Sequence, residues 1–161
     1  MKYIIFLLSI ILISCSYSVY QSGYPHLKTI SIKPFLNKTT IYELEENLFN
    51  NLSDYFIKDG RLKVVTISPD CTLEGEIVDY QNKIYKYSDS GVDEYQVSIL
   101  FRISFIDLIK NNVIYNNDSL ILKETYSQDD LNSDFSTEEE AQEEIFSDLF
   151  DFIIKKSLEE W

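Results

Sequence analysis

Two thiols and one imidazole are the strongest nucleophiles and metal ligands in this 161-residue chain: Cys15, Cys71 and His26. A single histidine cannot build a multi-histidine metal centre, nor a zinc site of mixed histidine and cysteine ligands. The four glycines (Gly23, Gly60, Gly75, Gly91) are too far apart to cradle a phosphate. No serine or cysteine stands in a nucleophile motif. Carboxylates are abundant, and Glu138, Glu139, Glu140, Glu143 and Glu144 form the densest run. Such a run suits the solvated start of a helix, where negative charge meets the positive end of the dipole. The acidic stretch Asp129-Asp130 to Asp134 lacks the turn glycine of a calcium loop. We therefore expect no cofactor, no metal and no catalytic residues.

Cys15 is the exception, because of what precedes it. Lys2 supplies one positive charge, Tyr3 to Ile13 form an apolar run, and Ser14 is a small residue directly before the thiol. The run has the length of a signal-peptide core and is short of the roughly 20 residues a membrane-spanning helix needs. An ordinary secretory leader or a core segment is the plain alternative. Leu12-Ile13-Ser14-Cys15 resembles the lipobox of bacterial lipoproteins, in which the cysteine is lipidated and becomes the first mature residue. The resemblance implies a leader over residues 1–14 and a lipid attached at Cys15. Acyl chains contribute about 0.8 kcal/mol per buried methylene, so two or three on one cysteine hold a protein on a membrane essentially permanently.

Removing residues 1–14 takes one lysine from 14 basic residues and none of the 27 acidic ones, which leaves a formal balance of −14. Nucleic acid and anionic headgroups both demand a basic footprint, so neither is an expected electrostatic partner. About 147 residues suffice for one core. With Cys15 lipidated, Cys71 has no partner within the chain and reads as a small buried hydrophobe in a strand.

The elements that must position these residues follow from periodicity. Residues 15–26 read as the lipidated cysteine and a tether, and residues 27–161 as one domain. Ile30 and Ile32 alternate with Thr29 and Ser31 in a strand from Leu27 to Phe35, stopped by Pro34. Thr40 and Glu43 fit a capping box that opens a helix from about Thr40 to Lys58, with Asp59-Gly60 as its stop. Ile41, Leu44, Leu48, Leu52, Tyr55 and Phe56 mark its apolar face. Arg61 to Val65 is a short strand-like segment. Cys71 to Tyr87, Val92 to Asp107 and Val113 to Tyr126 form a long antiparallel meander, with turns at Asp89-Ser90-Gly91 and Asn111-Asn112 and an interruption at Asn116-Asn117. Ser136 to Glu140 holds a second capping box, followed by a helix with Ala141, Ile145, Leu149, Phe152 and Ile153 on one face. The expected fold is α+β, a two-layer sandwich with two helices on one face of a mostly antiparallel sheet of about four strands.

Twelve tyrosines accompany ten phenylalanines. Tyr80, Tyr85, Tyr87, Tyr95, Tyr115 and Tyr126 fall in or near the strands. They serve either core packing and cross-strand pairing or a protein-binding surface; spacing alone leaves both open.

With the elements placed, several segments together resemble the LptE-type lipopolysaccharide-assembly lipoproteins. Pro34-Phe35-Leu36-Asn37-Lys38-Thr39 is similar to the family's exit from its first strand, and Leu73-Glu74-Gly75-Glu76-Ile77-Val78-Asp79-Tyr80 to a later one. Phe56 to Val65 looks like its helix-to-strand passage, Thr137 to Ala141 like the start of its last helix, and Trp161 like its closing residue. The resemblance implies a non-enzymatic lipoprotein of the outer membrane, facing the periplasm. Its partner would be an LptD-type β-barrel, which it plugs and helps to assemble so that lipopolysaccharide reaches the outer leaflet. Lys28, Lys33, Lys38, Arg61, Lys63, Lys83, Lys86 and Arg102 are scattered through the acidic chain, and no lipopolysaccharide-binding residues are assigned. The alternative is a periplasm-facing adaptor lipoprotein of another envelope complex.

Overall fold

The computed structural model describes residues 23–88, 91–128 and 133–159. The leader, Cys15, most of the tether, Asp89-Ser90, Asp129-Asp130 and Trp161 lie outside the described residues.

The first strand is shorter than its alternation suggests. β1 (Thr29–Ile32) buries Ile30 and Ile32, and the chain resumes as β2 (Leu36–Asn37). Pro34 has no amide to donate, so the run from Leu27 to Phe35 is split rather than continuous. Both pieces lie against the same neighbour, β4 (Cys71–Ser88), and both run parallel to it.

The helix α1 (Leu44–Asp59) buries Leu44, Leu48, Leu52 and Phe56, one residue per turn along a single stripe. Gly60 ends it at φ 73°, its amide donating to the Phe56 carbonyl at 3.1 Å. Its start differs from the expected Thr40–Glu43 capping box. Glu43 takes a left-handed conformation (φ 59°) with no side-chain cap. Asn37 does the work instead: its amide group donates to the Ile41 carbonyl (2.9 Å) and Glu45 (2.7 Å), and its oxygen accepts from the Thr39 amide (2.9 Å). Those bonds hold residues 39–41 in a turn, so the helix begins four residues late.

β3 (Lys63–Val64) follows, then β4, β5 (Gly91–Asp107) and β6 (Asn112–Tyr126). The sheet runs β3-β1-β4-β5-β6, with β2 also on β4. It is a mixed sheet of six strands, not about four mostly antiparallel ones. The expected meander β4-β5-β6 is antiparallel. The parallel half arises because β1, α1 and β3 form a crossover through a helix, and such a connection returns the chain in its original direction. Asn116 and Asn117 are not a break but pair with Ser104 and Ile103; the irregularity comes just after them, a register shift between Asn117 and Leu120 within a continuous strand.

α2 (Glu138–Ile154) is capped as the sequence predicts. Thr137 accepts from the Glu140 amide at 3.2 Å, and the Glu140 carboxylate accepts from the Ser136 amide at 2.7 Å. A π-helical turn (Lys155–Glu159) ends the described chain. Both helices bury their apolar stripes against the sheet face formed by Leu73, Ile77, Ile99, Phe101 and Ile103. Phe56 and Phe150 meet edge to face at 5.0 Å where the helices touch. No helix among the described residues is long and apolar enough to cross a membrane.

Candidate interaction surface

His26, Cys71 and two aspartates are brought to one end of the sheet, where their surroundings engage them. His26 Nε2 lies 2.6 Å from Asp107 Oδ2, and Asp107 is fully buried where β5 turns toward β6. Its other oxygen accepts from the amides of Ile109 and Lys110, both at 2.9 Å. Burial alone would raise the Asp107 carboxyl. His26 and the two amides outweigh it and hold the group below the usual carboxylate range. Asp70 is likewise held low, chiefly by the Lys28 amide (2.8 Å) and Thr29. The Cys71 thiol donates to the Thr29 carbonyl at 3.3 Å. Burial, with Asp70 and Asp107 adding to it, pushes that thiol up to about 12, far from a reactive thiolate. Among the described residues, no three His, Cys, Asp or Glu side chains converge as a metal would require.

The acidic run is divided between structural tasks. Glu140 caps α2, while Glu138 accepts from the Tyr80 hydroxyl at 2.6 Å. Burial first, then Glu138, pushes the Tyr80 hydroxyl upward. Glu124 on β6 and Asp148 on α2 are both raised, mainly by burial, and Asp148 adds its charge to the effect on Glu124.

The tyrosines divide in two. Tyr126 is buried and stacks on Tyr95 at 5.2 Å, and Tyr80, Tyr95 and Tyr115 pack partly buried against the core. Tyr85 (60% exposed) and Tyr87 (69%) stand on the β4–β5 hairpin, away from the helices. Of the six, these two are the most exposed to a partner.

The face of the sheet opposite the helices carries a ladder of paired charges. Lys33 meets Glu74 at 2.6 Å, and Lys38 meets Glu76 at 2.7 Å. Arg102 contacts Glu76 as well, and its Nε lies 3.5 Å from Asp118. Lys38 and then Arg102 hold Glu76 below the usual carboxylate range. Leu36, Ser104 and Asn116 complete this patch. The scattered cations of the sequence are thus partly assembled, but each is matched by a carboxylate. Alternation of Glu74 with Glu76 and of Arg102 with Ser104 signals an outward polar face; which charges pair depends on register. That ladder is the part of the site the sequence reading missed.

A family model described as LptE, lipopolysaccharide-assembly, matches residues 27–157. The chain belongs to the LptE family. No curated protein sequence matches it. Among solved structures, a hypothetical protein from Chlamydia trachomatis is similar with a TM-score of 0.59 and 11% identity, over 81% of this chain and 98% of that one. A Xanthomonas campestris protein reaches 0.57 at 11% identity, over 82% and 89%. Uncharacterized lipoprotein B from Nitrosomonas europaea reaches 0.50 at 14% identity, over 80% and 83%. At such identities the likeness speaks for the fold alone. In this LptE chain the motif residues Phe35 and Gly75 touch: a Cβ at Gly75 would fall 2.7 Å from the Phe35 ring.

Proposed function

We propose that this LptE-family chain is a non-enzymatic lipoprotein that plugs and helps assemble an LptD-type outer-membrane β-barrel. Cys15 carries the lipid, residues 1–14 are the leader, and the body (residues 27–161) faces the periplasm as one domain. The family match over residues 27–157 carries this reading. Two physical features support it. Barrel interiors are polar, and the ladder of Lys33, Glu74, Lys38, Glu76, Arg102 and Asp118 offers a polar face already neutral in formal charge. A matched pair enters a confined polar space at lower desolvation cost than a lone charge. Because its cations are matched, we assign this face to protein contact rather than to the phosphates of lipopolysaccharide.

The test is affinity purification of the tagged protein from detergent-solubilised outer membranes. The expected companion is a large barrel, and depletion of this protein should leave that barrel immature. A different companion, together with normal surface lipopolysaccharide on depletion, would make it an adaptor of another envelope complex. Fatty-acid labelling that marks the native protein but not Cys15→Ala checks the anchor.

A further inference from the structure

β4 is bordered on its outer side only as far as Ile77. β1 lies along it from Cys71 to Leu73, and β2 at Glu76 and Ile77. Asn37 then turns the chain off the sheet through its bonds to Thr39 and Ile41, and no strand among the described residues takes its place. The Lys38 amide, donating to the Ile77 carbonyl at 2.9 Å, is the last rung.

Alternation dictates where the backbone beyond that rung points. The Leu73 carbonyl accepts from the Lys33 amide at 2.9 Å, so Leu73 and Ile77 both turn their peptide groups outward. Their β5 partners, Phe105 and Phe101, consequently turn toward β6, as does every second residue of β5. Past the register shift at Val78, Tyr80 stands opposite Ile99, Asn82 opposite Val97 and Ile84 opposite Tyr95. Ile99, Val97 and Tyr95 belong to the set facing β6. The amides and carbonyls of Tyr80, Asn82 and Ile84 therefore face outward, while those of Gln81 and Lys83 face β5.

Residues 81–87 are exposed without interruption, so nothing of this chain shields the row. A two-stranded ribbon is weak by itself, and a row of outward donors and acceptors is matched by one more extended strand. Charge narrows what that strand carries. Lys83 is exposed and forms no ion pair among the described residues, whereas Gln81 donates to Asp79 at 2.6 Å and Lys86 pairs with Glu94 at 3.2 Å. The sheet's other long edge, on β6, is broken by two register shifts, and its Glu124 already feels the charges of Asp148 and Glu144.

We propose that the outer edge of β4 from Tyr80 to Ile84 is a strand-addition site for an extended, acidic segment of the barrel's own chain. The inference rests on the plug reading and extends it. Lys38, the last rung, also pairs with Glu76 in the charge ladder, so edge and ladder form one continuous surface. Wall strands of a closed barrel are bonded on both sides, so the segment comes from a loop or turn that reaches into the lumen. Its carboxylate meets Lys83 as a cross-strand pair. The added strand fixes the register of the body inside the barrel, which a lipid tether alone leaves free.

Amide hydrogen exchange, resolved to single residues by mass spectrometry, tests it on the lipidated protein free in detergent and in its purified complex with the barrel. Assembly is expected to slow the amides of Tyr80, Asn82 and Ile84 at least about tenfold, and those of Gln81 and Lys83 far less. Proline is tolerated on an edge where its missing amide faces outward. Ile84→Pro should cut recovery of the barrel at least about fivefold, and Ile121→Pro, at an outward amide of β6, should not. Circular dichroism checks both folds, and the exchange arm, made on the unaltered protein, decides the matter if a variant misfolds. A barrel that is recovered while the three amides exchange as before overturns the strand addition alone. Protection in the free protein that grows with its own concentration gives the edge to a second copy and overturns the barrel segment. Loss of the barrel with Ile121→Pro but not with Ile84→Pro overturns the choice of edge. Absence of any barrel from the unaltered protein overturns the plug reading and this inference together.

Discussion

The ring of Phe35 occupies the space that a side chain at Gly75 would need. A Cβ built there would lie 2.7 Å from Phe35 Cε2 and 2.3 Å from the Arg102 carbonyl oxygen. Glycine is thus demanded by close approach on two sides, from a side chain and from the neighbouring strand's backbone. The contact closes the seam where Pro34 splits the first strand, and it seats a buried aromatic in the core.

Gly75→Ala is expected to destabilise the fold by about 1–3 kcal/mol through overpacking, and Phe35→Ala by about 3–5 kcal/mol through the cavity it leaves. The double variant should lose less than the sum, because removing the ring clears half of the clash. Urea unfolding of the four proteins measures the coupling; strict additivity would mean that the two residues do not share the space.

Asp107→Asn is expected to cost about 1–3 kcal/mol at neutral pH by removing a charge-assisted bond to His26. The folded carboxyl lies below its ordinary value, so its contribution is fully present above the unfolded pKa. That contribution is lost as pH falls through the folded one. The stability gap between native and variant proteins should stay constant above about pH 4 and shrink below it. Thermal unfolding across pH checks the slope.

Glu124→Gln should act in the opposite sense. Burial and Asp148 raise the Glu124 carboxyl, so the folded protein disfavours its charge. The penalty is present above the folded pKa and relieved as pH falls through it. The substitution is expected to raise Tm at neutral pH by an amount worth less than about 1 kcal/mol, since the group is partly exposed. The gain should vanish in acid. A gain that persists at low pH would point to packing rather than charge.

Arg102→Glu places a third acid beside Glu76 and Asp118 on the open face. Exposed ion pairs contribute little, so stability should change by at most about 1 kcal/mol. Recovery of the barrel with the tagged protein should fall by more than about tenfold, because like charge against a fitted surface costs several kcal/mol. Unchanged recovery would place the barrel contact elsewhere on the molecule.

Much of the fold was legible because its signals are local. Leu44, Leu48, Leu52 and Phe56 announce a helical stripe within one segment, Gly60 ends it, and Thr137 with Glu140 starts the next. The alternation of Val97, Ile99, Phe101, Ile103 and Phe105 marks a strand with one buried face. The start of α1 was not legible. Thr40 and Glu43 carry the right side chains for a cap, but Asn37 competes for the same backbone and wins. Local hydrogen bonding of this kind is hidden until the turn is seen. The parallel pairings of β1 and β2 were hidden too, since a four-residue strand carries no mark of its partner's direction.

The sequence by itself determined the helices, the long meander and a family resemblance. Each of these rests on residue types and on spacings of a few positions. Tertiary structure alone decided that Phe35 fills Gly75, that Lys38 and Arg102 share Glu76, that His26 is spent on Asp107, and which tyrosines face outward. Those contacts join residues 26 to 81 positions apart. They hang on strand register, in which a slip of one residue would send every side chain to the opposite face.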